Sequence, residues 1–533
     1  MLALRSSHWF ALLGVALLLS SSPGQAAESK GTGKPLDPVS RWIEELGHPS
    51  FAVRERAEAE LAALGFAAFD ALSVAEDSND LEIAQRARFL LRSMTANWIR
   101  ETDPPAVQKL LEGYEQKSDQ QRAETMERLA LMPDDVGVSA LCRLARYEKS
   151  PLLSKRAALE VLFLPVSGGP RDLQRAEVIE RELGESPRTA ATWLRAYLQA
   201  GKGDRKALDA WAELAEEENR QFELAPDETD TQTASLLFYA YAQACAALGD
   251  RERANQVAER AWALQPDDAN AHYQIAGQLS RRGLFDWSER EYRRIMDQPL
   301  NAEDPMLQAY ALSARLRLAE TMHDQGRELP AAETLDGLVA MMDAKEGGTE
   351  VKKRLIETLV RDPEGIRSRA QYFHALHLLG EGNREQAIAR LEQGLKEDFA
   401  DADVLISLYD LSAAEPDRRS RVLPLVAKAV AEYRLDIERM PQDHQGYNQL
   451  AWLLANTGGD AQEAITLSHR SLELSPDTAS YLDTLAHCYA AHHEFDNAVK
   501  YQSRAAELDP HSGLIRKKLE VFRQQAAKQP AKS

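Results

Sequence analysis

Three prolines near the end of the chain recur at almost constant distance. Thirty-five residues separate Pro441 from Pro476, and 34 separate Pro476 from Pro510. The residues between them keep phase. The segment ending at Pro510 carries Leu485, Ala486, Tyr489, Ala498 and Ala505. The segment ending at Pro476 carries Tyr447, Leu450, Ala451, Leu454, Ala464 and Leu472. Its extra residue falls at Gly458-Gly459, a turn, where an insertion costs little. A unit of this length holds two antiparallel helices. One such hairpin cannot bury its apolar face alone, so neighbours must stack into a solenoid.

The same phase projects backwards. Units are expected at 188–221, 235–268, 269–302, 312–345, 368–401, 444–478 and 479–512. Unit 235–268 shows the pattern well, with Tyr241, Ala242, Gly249, Ala254, Ala258 and Pro266. Small residues such as Ala242, Ala254, Ala451 and Ala498 let paired helices approach closely. Tyr241 and Leu485 fill the space between units. Gly249 permits the left-handed conformation that ends a helix. Residues 402–443 read as helical but off pattern. An amphipathic stretch over 513–524, with Leu514, Ile515, Leu519 and Phe522, is expected to cap the array. Residues 525–533 read as a disordered tail.

This pattern, over roughly 186–512, resembles the tetratricopeptide repeat. The resemblance implies an all-α fold, a right-handed superhelix of helical hairpins. It also implies that the first helix of each hairpin lines a concave surface that holds an extended peptide or a partner helix. Carried over by position, that surface would present Tyr239, Gln243, Tyr273, Asn448, Trp452 and His487. Polar and aromatic side chains of this kind suit peptide recognition. The Lys/Asn/Arg set with which some relatives clamp a terminal carboxylate is absent, and Asn448 alone matches it in type.

The N-terminal third follows a different helical pattern. Trp42, Ile43 and Leu46 form one apolar stripe, and Val53, Ala57, Leu61 and Leu64 form a second that ends at Gly65. Phe51, Arg54, Glu55, Ala57, Leu61, Leu64 and Gly65 together resemble HEAT-like helical repeats, and a HEAT-like region is expected over 37–166. A break at Val166–Pro170 suggests a domain boundary there. Residues 1–26 have the build of a signal peptide: Arg5, an apolar run from Trp9 to Leu19, then Gly24-Gln25-Ala26. Cleavage is expected after Ala26 or Ala27, leaving 27–36 as a linker and placing the chain in the periplasm or outside the cell. The competing reading keeps 1–26 as an uncleaved anchor, although the apolar run is short of the ~20 residues a span needs.

Removing residues 1–26 takes away only Arg5 among charged groups, so the formal charge moves from -20 to -21. Such a chain repels nucleic-acid phosphates, which excludes that class of partner. The three cysteines, Cys142, Cys245 and Cys488, are far apart and form no CxxC pair, so no disulfide framework or zinc site is expected. Phosphate-binding glycine loops, a nucleophile elbow and HExxH are all missing. His374 and His377 share a helix face without a third ligand, and His492-His493 fall at a turn. No catalytic, cofactor or metal residue is assigned. The sequence therefore points to an exported, non-catalytic scaffold that binds a protein or peptide. The rival readings are a structural component of a cell-envelope complex and an enzyme without a recognisable motif.

Overall fold

The computed structural model describes residues 37–94, 98–164, 169–225, 228–264, 269–297, 305–359 and 361–528. The signal peptide, the linker, the break at Val166–Gly168, Pro266 and residues 529–533 lie outside them. Among the described residues there are 27 α-helices and no strand. The chain is an all-α solenoid of antiparallel hairpins. It divides into two compact units, the first made of residues up to Ala130, Val136–Leu162 and Arg175–Ala261. The second holds Leu131–Asp135, Phe163–Gln174 and everything from Trp262 on.

The first unit opens with α1 (Pro38–Glu45), α2 (Phe51–Leu64), α3 (Phe69–Ala75) and α4 (Leu81–Ser93). Asp37 caps α1 and Asp80 caps α4 by accepting two backbone N–H groups each, which satisfies donors a helix start leaves orphaned. Ala57, Leu61, Phe69, Leu72 and Leu90 close one core. Next come α5 (Pro105–Leu111), α6 (Asp119–Ala130), α7 (Val138–Tyr147) and α8 (Pro151–Leu162). After α9 (Pro170–Leu183) follow α10 (Thr189–Gly201), α11 (Ala207–Leu224), α12 (Thr231–Ala247) and α13 (Arg251–Ala263).

The chain passes between the compact units at Leu162–Phe163, close to the expected break near residue 166, returns at Arg175 and leaves the first unit again after Ala261. Within the first unit, burial joins the elements on both sides of that passage. α8 buries Leu153, Ala157, Ala158, Leu159 and Val161, and both α10 and α12 pack on it. Lys155 of α8 reaches Glu218 of α11 at 2.8 Å, with both side chains under a tenth exposed. A buried ion pair of this kind holds two elements together because separating it strands a charge.

The second unit is a run of hairpins: α14 (Ala269–Arg281) with α15 (Phe285–Met296), and α16 (Pro305–Asp324) with α17 (Glu328–Asp343). The short α18 (Gly348–Glu357) precedes α19 (Pro363–Gly380) and α20 (Arg384–Glu397). Then come α21 (Ala402–Leu411) and α22 (Pro416–Arg439), α23 (His444–Asn456) and α24 (Ala461–Leu474), and α25 (Ala479–Ala491) and α26 (Phe495–Leu508). The last helix, α27 (Gly513–Lys528), runs four residues beyond the expected cap at 524, so 525–528 are helical. α22 continues through Pro424 for 24 residues, which explains why 402–443 fell off the repeat.

The array closes on itself. Ser512 Oγ donates to the Asp324 carboxylate at 2.6 Å, and the Gly513 N–H donates to it at 3.2 Å. Asp324 thus ends α16 and caps the start of α27, eleven helices later in the chain. A Cβ on Gly513 would stand 2.6 Å from the Asp324 carbonyl oxygen, so this approach needs glycine.

Candidate functional site on the inner face of the second unit

Each hairpin packs its helices through small residues. Ala451 and Ala498 are fully buried, at 0 % exposure. Gly249 and Gly283, 34 residues apart, both take a positive φ of 84° and 72° at the turn inside a hairpin. In the last hairpin His493 takes that left-handed position, with φ 62°. Thus the hairpin, its turn and its packing residues repeat in register. The second unit is a solenoid of antiparallel helical hairpins.

The first helices of successive hairpins carry a connected set of polar and aromatic side chains. Arg369 on α19 is the hub. It donates to both oxygens of Glu320 on α16, at 3.0 and 2.9 Å, and pairs with Asp403 on α21. Its guanidinium also lies over the Tyr372 and Phe373 rings, 5.0 and 4.7 Å from their centroids. Asp403 in turn accepts the indole N–H of Trp452, on α23, at 2.8 Å. The Trp452 ring stands 4.6 Å from the His487 ring of α25. His487 is hydrogen-bonded to Asn456 Oδ1 at 2.9 Å and meets the Phe522 ring of α27 edge-on at 5.2 Å. Six helices are joined through this one chain of contacts.

The electrostatics follow from burial. Burial drives the His487 imidazole well below its ordinary value, and nearby Lys518 pushes the same way, so the ring is neutral. Burial raises the Asp483 carboxyl, against a hydrogen bond from Gln502 and the charge of Lys518. Burial works to raise Glu320 as well, but Arg369 overrides it and holds that carboxyl below its usual range. Lys518 is lowered by burial, with Asp483 and Asp410 opposing.

Asp401, next to this set, caps α21. It accepts Ser368 Oγ–H at 2.7 Å and the Val404 N–H at 3.2 Å. Burial and then the Asp403 charge push its carboxyl up to about 6, from an ordinary 3.8. The folded chain therefore binds a proton here between about pH 4 and pH 6 that the unfolded chain does not. Stability from this group is greatest at the acid end of that window and falls as pH rises through 6. Asp401→Asn keeps a capping oxygen and cannot ionise. It is expected to raise stability above pH 6 and to flatten the pH dependence between 4 and 6. A pH series of chemical denaturation curves checks it, and an unchanged slope counts against the assignment.

The six residues singled out from sequence divide. Asn448, Trp452 and His487 come together on α23 and α25. Tyr273 is half-buried on α14 and packs against the Tyr292 and Tyr310 rings, at 5.7 and 5.6 Å. Gln243 is half-buried in the first unit. Tyr239 is a correction: at 1 % exposure it is a core residue and lines no groove. α12 is covered on nearly all sides, with ten consecutive residues from Thr233 to Ala242 buried, because it packs on α8 and α11. Glu320, Arg369, Tyr372, Asp403, Asp483 and Lys518 were missed. One of them was within reach: Asp483 stands 35 residues after Asn448, as His487 does after Trp452. Arg369 and Asp403 also stand one period apart, at 34 residues, but Asp403 lies in the stretch 402–443 that reads off pattern, and its partner Trp452 is 49 residues on.

Among the described residues no group of three or more His, Cys, Asp or Glu is placed to hold a metal ion. His374 bonds Asp336 at 2.8 Å, and His377 faces Glu381 at 3.5 Å. All three cysteines are buried and free, and burial raises the Cys488 thiol to about 12. No described helix is long and apolar enough to cross a membrane.

No protein-family model matches the chain, and no curated protein matches it. Solved structures do overlay on it. The TPR domain of P58(IPK) is 17 % identical, with 63 % of this chain and 99 % of that one covered and a TM-score of 0.19. Yeast Tom70 is 14 % identical, with 79 % and 89 % covered and a TM-score of 0.24. The Cut9–Hcn1 hetero-tetramer of APC/C is 14 % identical, with 78 % and 92 % covered and a TM-score of 0.19. At these scores the overlays carry no argument.

Proposed function

We propose that this chain is an exported, non-catalytic scaffold that binds a protein or peptide on the inner face of its second unit. One observation carries the reading. Trp452 is half-buried, fixed by its bond to Asp403, and ringed by His487 and the Arg369 cluster. A rigid aromatic held among polar groups is the kind of anchor that dominates protein–protein binding energy. The side chains around it are bonded to one another rather than poised around a reacting atom, which supports a binding role over a catalytic one. Export rests on residues 1–26 alone.

Affinity capture from the exported fraction tests the binding role. A stable partner is expected, and Trp452→Ala is expected to weaken its binding by about 2 kcal/mol or more, roughly 30-fold. Circular dichroism of the variant controls for folding. Turnover in a broad hydrolase screen, with no partner recovered, would overturn the reading. For export, the mature N-terminus is expected at Ala27 or Glu28. A full-length chain retained in the cytoplasm would refute it.

A further inference from the structure

The inner face carries more acid than base. Glu320, Asp324, Asp403, Asp410 and Asp483 come from α16, α21 and α25, and against them stand Arg369, Lys518 and Arg419. Arg369 is consumed by Glu320 and Asp403. Lys518 serves both Asp483 and Asp410, and Arg419 also acts on Asp410. Asp483 also lies within the field of Asp324 and Asp403. Burial raises both Asp483 and Asp410, against Lys518 and, for Asp410, Arg419 as well, so a further cation beside them would be favoured.

A second observation is independent of charge. Asn448 is 9 % exposed, and its side-chain carbonyl oxygen is buried with no hydrogen-bond partner. A buried acceptor left unmade costs about 1–3 kcal/mol. It stands one helical turn before Trp452, on the face of α23 that presents the indole to Asp403. An acceptor, an aromatic face and surplus carboxylates together describe a receiver of donors and cations. Extended peptide backbone supplies N–H donors, and Lys or Arg side chains supply the charge.

We infer that the inner face takes an extended basic peptide segment, with Lys or Arg side chains against Asp410 and Asp483 and a backbone N–H on Asn448. This rests on the protein-binding reading above and names the chemistry of what is bound. The long-range field of a chain with formal charge -20 steers the same class of ligand inward.

The test uses the full chain and two labelled peptides of roughly ten residues, about 35 Å when extended. One alternates Lys and Ala, the other Glu and Ala. Fluorescence anisotropy is expected to show binding of the Lys peptide only. Asp410→Asn with Asp483→Asn is expected to weaken it about tenfold or more. Glu432→Gln with Glu473→Gln removes the same charge from the second helices and is expected to change it less than about threefold. Asn448→Ala is expected to weaken binding at unchanged salt dependence, because it removes an acceptor and no charge. Equal losses in the two double variants would reduce the effect to overall charge and overturn the proposal. So would failure of the Lys peptide to bind. A captured partner lost on Trp452→Ala whose bound segment is acidic or uncharged would leave the scaffold reading standing and remove this one.

Discussion

Arg143→Ala is expected to destabilise the first unit by about 3–5 kcal/mol. Arg143 sits on α7 at 3 % exposure. Its guanidinium donates to Asp103 at 2.5 Å, to the Trp98 carbonyl at 3.2 Å and to Ser139 Oγ at 3.2 Å. Asp103 is itself 7 % exposed, and its other support is the Arg100 N–H at 2.8 Å. Truncation leaves a carboxylate buried beside an orphaned carbonyl. The penalty comes mainly from the stranded charge, so a double change to apolar residues, Arg143→Met with Asp103→Leu, should recover most of it. Two compact units make a single unfolding midpoint ambiguous. Hydrogen exchange of the α7 amides is the better measure. A loss under about 1 kcal/mol would mean that water reaches Asp103 and that the pair behaves like a surface one.

Gly283→Val is expected to cost the second unit about 2–4 kcal/mol and to loosen its closure. Two effects add. Gly283 has φ 72°, where an L side chain is strained by roughly 1–2 kcal/mol. A Cβ there would also stand 2.6 Å from Nδ1 of His511 and 2.9 Å from two further ring atoms. His511 belongs to the loop that carries Ser512 and Gly513 to Asp324, so displacing it pulls on that clasp. Exchange protection around residues 509–516 is expected to fall. Gly283→Ala combined with His511→Ala separates the two effects. The clash disappears while the backbone strain stays, and about half the cost should return. Unchanged protection at 509–516 in the valine variant would show that the loop is not held by this contact.

How far the sequence reached can be read from particular residues. Ala451, Ala498 and Leu485 were placed correctly in the core, because a hairpin repeat demands small or apolar groups at fixed positions. Gly249 was legible as a turn, for only glycine takes that backbone cheaply. Register places Trp452 and His487 side by side, as their rings are, and Asp483 lay open to the same reasoning. Tyr239 failed by the same rule. Register says which face of its helix a residue occupies, but not what covers that face. In α12 the face is covered by α8, from a segment outside the repeat. The Arg369–Asp403–Trp452 chain was hidden for a related reason. It spans 83 residues and passes through α21, which follows no repeat.

The sequence by itself determined the helical class, the hairpin period, the turn positions and the side chains that knit neighbouring hairpins. These depend on local propensity and on contacts between adjacent units, which a periodic pattern encodes directly. Only the tertiary structure decided that α16 meets α27 through Asp324, that residues 163–174 join the second compact unit, and that Arg369 links Glu320 to Asp403. Those outcomes depend on small rotations summed over many hairpins, and no single repeat records the sum.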